Sequence, residues 1–87
     1  MPYDVILTKT ANKAYSRLPE KVQRGVDRCI VLLEISPKRG PNIERYHEEP
    51  GCYRYRIGGW RIVYEVDDRM NEVRVFEIRP RGDVYKR

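Results

Sequence analysis

The second half of the chain alternates between apolar and polar positions, which is the pattern of half-buried β-strands. In residues 51–57 and 60–66, one parity carries large apolar side chains: Tyr53, Tyr55, Ile57, Trp60, Ile62, Tyr64 and Val66. The other parity carries Cys52, Arg54, Arg56, Arg61, Val63 and Glu65. Gly58-Gly59 between the two segments is typical of a tight turn, so the segments are predicted to pair as a hairpin.

A third strand is predicted over residues 72–79, after a turn at residues 67–71. Phe76 and Ile78 are its expected core residues. Val73 and Val75 have the opposite parity, although both are apolar. We therefore expect either a β-bulge or a partly apolar outer face in this strand.

The first half of the chain predicts a strand and two helices. Residues 3–8 are short, apolar and rich in β-branched side chains, which favours a strand. Thr8 or Thr10 is positioned to cap the helix that follows, and Pro19 separates it from the next helix. From residue 20 to about residue 34, an apolar stripe predicts an amphipathic helix: Val22, Val26, Cys29, Ile30 and Leu33. Gly25 lowers helix stability by about 1 kcal/mol relative to alanine, so close packing is expected there.

These elements predict an α+β fold with the order strand, helix, helix and three strands. A small, mainly antiparallel sheet of about four strands, with both helices on one face, buries both apolar patterns at once. Residues 36–50 form a long connection, with a short strand near residues 43–46 as an option. The first strand is expected at an edge or beside the last strand. Residues 1–87 are expected to form a single domain.

Composition narrows the classes of site and partner. The chain has 18 Lys and Arg against 13 Asp and Glu, a formal net charge of +5. This excess favours a polyanionic partner such as nucleic acid, although charge alone is also compatible with a solvated basic surface. Cys29, Cys52 and the single histidine, His47, do not make a disulfide framework or a multi-histidine metal site. No cofactor or metal is expected, and the absence of a leader or a long apolar run favours the cytoplasm.

The polar parity of the predicted sheet carries the candidate chemistry. Because the apolar parity is needed to cover the helices, Arg54, Arg56 and Arg61 are expected to face outward together. Each guanidinium presents planar, paired donors that match phosphate oxygens. Arg79 or Arg81 is expected to extend the cluster at the end of the last strand. A solvated charged face is the alternative interpretation.

Cleavage of RNA at such a face needs more than positive charge. Attack of a ribose 2′-OH on the adjacent phosphate requires a group that takes the 2′ proton, and a guanidinium cannot take it because it stays protonated. The residues leave six candidates for proton transfer: His47, Glu48, Glu49, Glu65, Glu77 and Tyr85.

Two segments resemble motifs of the RelE/ParE toxin superfamily. Residues 51–66, GCYRYRIGGWRIVYEV, resemble its core motif, and residues 78–85, IRPRGDVY, resemble its closing basic motif followed by tyrosine. The resemblance spans essentially the whole chain and points to the RelE-like mRNA interferase branch. It implies a metal-independent endoribonuclease that cleaves mRNA in the ribosomal A site and thereby inhibits translation. A ParE-like inhibitor of DNA gyrase and a non-catalytic relative that binds RNA or an antitoxin are the alternatives.

The resemblance also implies site residues and partners. The implied catalytic residues are Arg54, Arg56, Arg61, Arg81 and Tyr85, with Arg79 and Glu65 as alternatives. The implied RNA-binding residues are Arg54, Arg56, Arg61, Arg79, Arg81, Lys86 and Arg87. Pro80 stands where many relatives have a histidine, which leaves Tyr85 or a glutamate to transfer protons. The implied partners are a cognate RelB-like acidic antitoxin, mRNA and the ribosomal A site, with no membrane.

Overall fold

The computed structural model describes residues 2–45 and 49–80, which form two helices on one face of a five-stranded sheet. The elements are β1 (Asp4–Leu7), α1 (Lys9–Ser16), α2 (Glu20–Ile35), β2 (Ile43–Arg45), β3 (Cys52–Ile57), β4 (Trp60–Asp67) and β5 (Glu72–Pro80). The strand order across the sheet is β1-β5-β4-β3-β2. The predicted α+β class is confirmed. The sheet has five strands because the short segment β2 pairs with β3, and it is mixed because β1 runs parallel to β5.

The helix boundaries follow from local chemistry. The Thr8 hydroxyl accepts a hydrogen bond from the Ala11 amide at 3.2 Å, which confirms Thr8 as the N-cap of α1. Pro19 directly precedes α2. Proline lacks an amide hydrogen, which suits the start of a helix because a donor there has no acceptor within the helix. Gly25 is buried on α2, and a Cβ at this position would lie 3.1 Å from Cγ2 of Ile57 on β3. The close packing expected at Gly25 is therefore confirmed.

The helices and the apolar parity of the sheet enclose one core cluster. The segment from α1 to α2 contributes Ala11, Leu18, Val26, Cys29 and Leu33, and the sheet contributes Tyr53, Ile62, Tyr64, Val66, Val73, Val75 and Ile78. The rings of Tyr53 and Tyr64, on neighbouring strands, stack with their centroids 5.8 Å apart. The predicted alternation of β3 and β4 is confirmed for the large apolar side chains, and the arginines belong to the opposite parity. Cys52 and Val63, which share the arginine parity, are also buried, although they lie outside the core cluster.

A β-bulge interrupts the pairing of β5 with β4. The register shifts by one position between Val63 and Tyr64, which leaves Phe76 as the extra residue on β5. The buried side chains of β5 are Val73, Val75 and Ile78, so the buried parity changes at the bulge. The expected bulge is confirmed. Phe76, which the pattern assigned to the core, is only partly buried and lies outside the core cluster, because it is the bulged residue.

The buried thiol of Cys29 predicts a loss of stability at alkaline pH. Burial raises the pKa of this thiol to about 12, whereas a cysteine in an unfolded chain ionises near pH 8.5. Between these two pKa values the thiol ionises only in the unfolded chain, which favours unfolding. The stability of the folded state is therefore unaffected by this group below about pH 8.5 and falls as pH rises towards the folded-state pKa. We expect the thiol to lower the free energy of unfolding by about 2 kcal/mol between pH 8 and pH 10. Urea unfolding of wild type and Cys29→Ala under reducing conditions measures this, and equal pH slopes would contradict it.

Candidate functional site

Three arginines form a row across the outward face of the sheet, one from each of β3, β4 and β5. Arg56 lies opposite Arg61 in the strand register, and Arg61 lies opposite Arg79. We refer to these three residues as the arginine row. Because neighbouring strands lie about 4.8 Å apart, the backbone positions of the row span about 10 Å. Like charges at opposed positions destabilise a sheet, so the row favours an anion that contacts more than one guanidinium.

Among the residues that the structure describes, the arginine row is neutralised at one end only. At the β5 end, Nε of Arg79 donates a hydrogen bond to Oε2 of Glu77 at 2.7 Å. Arg56 and Arg61 form no ion pair with any residue of the ranges 2–45 and 49–80. Arg56 is exposed and Arg61 is partly exposed. Within the described part of the chain, no carboxylate competes with a phosphate for these two guanidinium groups.

Arg54 extends the positive face towards β2. It lies two residues before Arg56 on β3 and opposite Val63 on β4, which confirms the predicted neighbourhood of these side chains. Nη2 of Arg54 donates to Oε1 of Glu44 at 3.1 Å across the β2–β3 pair. This ion pair orients the Arg54 guanidinium beside the arginine row.

The other end of the outward face is acidic and is organised around Arg74. The Arg74 guanidinium lies 3.1 Å from Asp67, 3.4 Å from Glu72 and 3.9 Å from Glu65. Glu65 lies four residues from Arg61 along β4, a distance of about 13 Å between backbone positions. The structure therefore groups Glu65, an alternative catalytic residue from the sequence, with Arg74 and not with the arginine row.

The remaining predicted site residues divide into two groups. His47, Glu48, Arg81, Tyr85, Lys86 and Arg87 lie outside the described residues. Glu49 is held near the start of β3, where its carboxylate accepts a hydrogen bond from the Cys52 thiol at 3.5 Å. Of the proton-transfer candidates that the structure describes, Glu77 lies beside the arginine row.

Two residues that shape this face carry no clear signal in the sequence pattern. Glu44 and Arg74 were not singled out, and both act through partners on other segments of the sheet. The optional strand at residues 43–46 was the only sequence feature that placed Glu44 near the arginines. For Arg74, the alternation of β5 gave no indication because the bulge interrupts it.

Other kinds of site are not evident in the part of the chain that the structure describes. Burial, together with the hydrogen bond to Glu49, raises the pKa of the Cys52 thiol to about 11, and Cys29 is also a buried thiol with a raised pKa. Neither is a ready thiolate near neutral pH. Within residues 2–45 and 49–80, no three His, Cys, Asp or Glu side chains are grouped to hold a metal ion. Neither α1 nor α2, the helices of these same ranges, has the length and apolar character needed to cross a bilayer.

Nearly the whole chain is similar to toxins of known toxin–antitoxin pairs. A family model described as the ParE toxin of the type II toxin–antitoxin system parDE matches residues 5–85. Toxin RelG of Mycobacterium tuberculosis is 32% identical over 89 residues, which cover 100% of both chains. Toxin RelE of the same organism is 31% identical over 87 residues, 98% of this chain and 88% of that one. A chain of the archaeal RelE–RelB complex from Pyrococcus horikoshii superimposes with a TM-score of 0.83 at 26% identity, covering 94% of this chain and 98% of that one.

Proposed function

The chain belongs to the ParE toxin family of type II toxin–antitoxin systems, and we propose that it acts as an endoribonuclease that cuts mRNA in the ribosomal A site. The arginine row carries this proposal, because it places three arginines at opposed positions on neighbouring strands, each at least partly exposed. Structures of similar toxins include complexes of RelE with RelB. By this similarity, an acidic antitoxin holds the protein inactive. The substrate, ribosome-bound mRNA, places the activity in the cytoplasm.

The arginine row is suited to the negative charge that develops when RNA is cleaved by attack of its own ribose 2′-OH. In the proposed step the ribose 2′-oxygen attacks the adjacent phosphorus, and a new bond forms between them. The bond from phosphorus to the 5′-oxygen breaks, the 2′ proton passes to a base, and the departing 5′-oxygen takes up a proton. Guanidinium groups stabilise the extra negative charge on the pentacoordinate phosphorus. This route requires no metal ion in itself.

Proton transfer belongs to a different side chain, because guanidinium groups stay protonated. Tyr85 is the first candidate from the resemblance, and it lies outside the described residues. Glu77 is the second candidate, since its carboxylate is paired with Arg79 on the same face as Arg56 and Arg61. A carboxylate at this position is able to accept the 2′ proton while Arg79 holds its orientation.

Primer extension on ribosome-bound mRNA tests the proposed activity. Purified protein is added to ribosomes that are programmed with a defined mRNA and have an empty A site. We expect new 3′ ends within the A-site codon, and few cuts in the same mRNA without ribosomes. Intact mRNA at saturating protein would contradict the proposal.

An inhibitor of DNA gyrase is the second candidate function, because the matching family model is that of the ParE toxin. Such a protein acts by binding gyrase and has no requirement for a phosphate-binding arginine row. A supercoiling assay separates the two functions. Inhibited supercoiling together with uncut ribosome-bound mRNA would favour the gyrase inhibitor.

A further inference from the structure

A cavity beside the edge strand β2 is lined mainly by cations. It has a volume of about 320 Å³ and is lined by Lys38, Arg39, Arg45 and Tyr53. Lys38 and Arg39 belong to the loop between α2 and β2, and Arg45 is the last residue of β2. No Asp or Glu is among the described residues that line it. We refer to this cavity as the β2 cavity.

The strand register places the β2 cavity on the other side of the sheet from the arginine row. Arg45 lies opposite Tyr53 in the antiparallel pair of β2 and β3, and side chains at opposed positions share one face. The ring of Tyr53 is buried in the core and stacks on Tyr64, so this face is the one that the helices cover. Arg56, three residues further along β3, has the opposite parity. The cavity is therefore distinct from the row.

The loop that carries two of these cations is anchored to the rest of the molecule. The Pro37 carbonyl accepts a hydrogen bond from the buried Tyr64 hydroxyl at 2.7 Å. The Lys38 ammonium donates to the Asp68 carboxylate at 2.6 Å, and the same carboxylate accepts a hydrogen bond from the Tyr3 hydroxyl at 2.8 Å. The loop is thus held in place before a ligand binds, which lowers the entropic cost of binding.

Two of the three cations have no carboxylate partner in the described part of the chain. Arg39 and Arg45 are exposed and form no ion pair with any residue of the ranges 2–45 and 49–80. Lys38 is paired with Asp68, but an ammonium group has three donors and is able to serve a second acceptor. The β2 cavity therefore favours an anion with several acceptor oxygens.

We propose that the β2 cavity binds a phosphate group between Arg39, Arg45 and Lys38. Each guanidinium presents paired donors that match two phosphate oxygens, and the ammonium adds a point charge. A phosphate group carries more acceptor oxygens than a carboxylate, and as a monoester it also carries more charge, so it satisfies three separate cations better. The site goes beyond the proposed function, because it lies apart from the arginine row and requires no cleavage.

Two kinds of molecule present such a phosphate group to the cavity, an RNA strand and a free nucleotide. Because β2 is the edge strand, the two faces of the sheet meet beside it. The backbone positions of Arg45 and Arg56 are about 11 Å apart, from three residues along a strand and one strand spacing across. An RNA strand that passes around this edge is able to contact the cavity and the row together, whereas a nucleotide monophosphate occupies the cavity alone.

Titration with inorganic phosphate at constant ionic strength tests the site directly. Backbone amide NMR shifts locate the bound anion, because the amides around Arg39 and Arg45 report on the cavity and those around Arg61 report on the row. We expect Arg39→Gln and Arg45→Gln to weaken binding at the cavity at least tenfold, as for loss of a hydrogen bond to a charged group. Arg17→Gln is the matched control with the same change in net charge. Arg17 is exposed after α1, which packs on β5 and β1 away from the cavity, so this variant is expected to bind like wild type.

Two further probes identify the source of the phosphate group. Adenosine 5′-monophosphate and a short 2′-O-methylated RNA, which lacks the attacking 2′-OH, are titrated in the same way. Weaker RNA binding in both Arg45→Gln and Arg56→Gln would uphold the site and assign it to a strand that passes around the edge. Weaker nucleotide binding in Arg45→Gln, with unchanged RNA affinity, would uphold the site and assign it to a free nucleotide. Unchanged affinities for both probes would overturn it.

The results that contradict this proposal differ from those that contradict the nuclease. Equal weakening of phosphate binding in Arg39→Gln, Arg45→Gln and Arg17→Gln would reduce the effect to overall charge and overturn the site. Shifts confined to the arginine row would also overturn it. Acetate that binds at the cavity as tightly as phosphate would overturn the assignment to phosphate, because a carboxylate from a protein partner would then fit equally well. Wild-type protein that binds phosphate at the cavity but leaves ribosome-bound mRNA intact would uphold the site and reject the nuclease.

Discussion

Replacement of Arg61 by alanine is expected to lower the rate of mRNA cleavage by about 10²–10³-fold, the effect of removing one donor from a preorganised anion-stabilising site. Arg61 is the middle member of the arginine row and lies opposite both Arg56 and Arg79. A phosphate bound anywhere along the row therefore lies within about one strand spacing of the Arg61 backbone position. The measurement is the single-turnover rate of cleavage of ribosome-bound mRNA at saturating protein.

Arg74→Ala is the matched control for this prediction. Arg74 lies on the same outward face, but its guanidinium is engaged by Asp67 and Glu72 at the acidic end. We expect this variant to cut mRNA at the wild-type rate, although it carries the same change in net charge. Equal losses in both variants would show that overall charge, and not the row, supports cleavage. A wild-type rate for Arg61→Ala would reject the role of Arg61 in charge stabilisation.

Arg61→Lys distinguishes positive charge from guanidinium geometry. Lysine keeps the charge but presents a single point donor, whereas arginine presents a planar pair of donors to two phosphate oxygens. We expect Arg61→Lys to retain a rate between those of wild type and Arg61→Ala in the same single-turnover assay. A rate equal to that of Arg61→Ala would show that the paired donors, and not the charge, make the contribution.

The arginine face was predictable from the sequence where the determinants are local. The two-residue period of β3 and β4 assigns side chains to faces, and the turn at Gly58 sets the hairpin register that opposes Arg56 to Arg61. Gly58 adopts a positive φ of 52°, a conformation that glycine accepts without steric cost. The strand positions of Arg56 and Arg61 and the sheet face on which they lie therefore depend on about fifteen consecutive residues, roughly the span of a two-stranded hairpin.

Arg79, the third member of the row, was not predictable in this way, because a bulge in β5 sets which of its residues lies opposite Arg61. In a regular strand Phe76 would pair with Val63, and Arg79 would then lie opposite Trp60 on the side of the sheet that faces the helices. With the bulge, Arg79 lies opposite Arg61 on the outward face. The alternation predicted an irregularity in this strand but not its position, so the choice between Arg79 and Arg81 stayed open at the sequence level.

The strand that pairs with β1 could likewise not be predicted from a local sequence pattern. Asp4 pairs with Glu72, and Leu7 pairs with Val75, so β1 joins the sheet through residues near the opposite end of the sequence. Such a parallel pairing depends on how the intervening helices cross over the sheet, and not on the composition of either strand. The sequence therefore limited β1 to two positions, an edge or beside the last strand, and the structure satisfies both.

Removal of the Tyr64 hydroxyl is expected to lower the free energy of unfolding by about 1–3 kcal/mol, the cost of leaving a buried acceptor without its donor. Tyr64 is fully buried on β4, and its hydroxyl donates to the Pro37 carbonyl at 2.7 Å. Burial raises the pKa of this phenol, so the proton it donates is retained at alkaline pH. Urea unfolding of Tyr64→Phe, monitored by circular dichroism, measures the loss.

Tyr3→Phe is the control, because it removes the same atom from an exposed hydrogen bond with Asp68. We expect it to change the free energy of unfolding by less than about 0.5 kcal/mol, as for surface substitutions in general. Equal losses in the two variants would mean that the bond between Tyr64 and Pro37 is not a buried anchor. Pro37 lies in the loop between α2 and β2, so the Tyr64 hydroxyl ties this loop to the core.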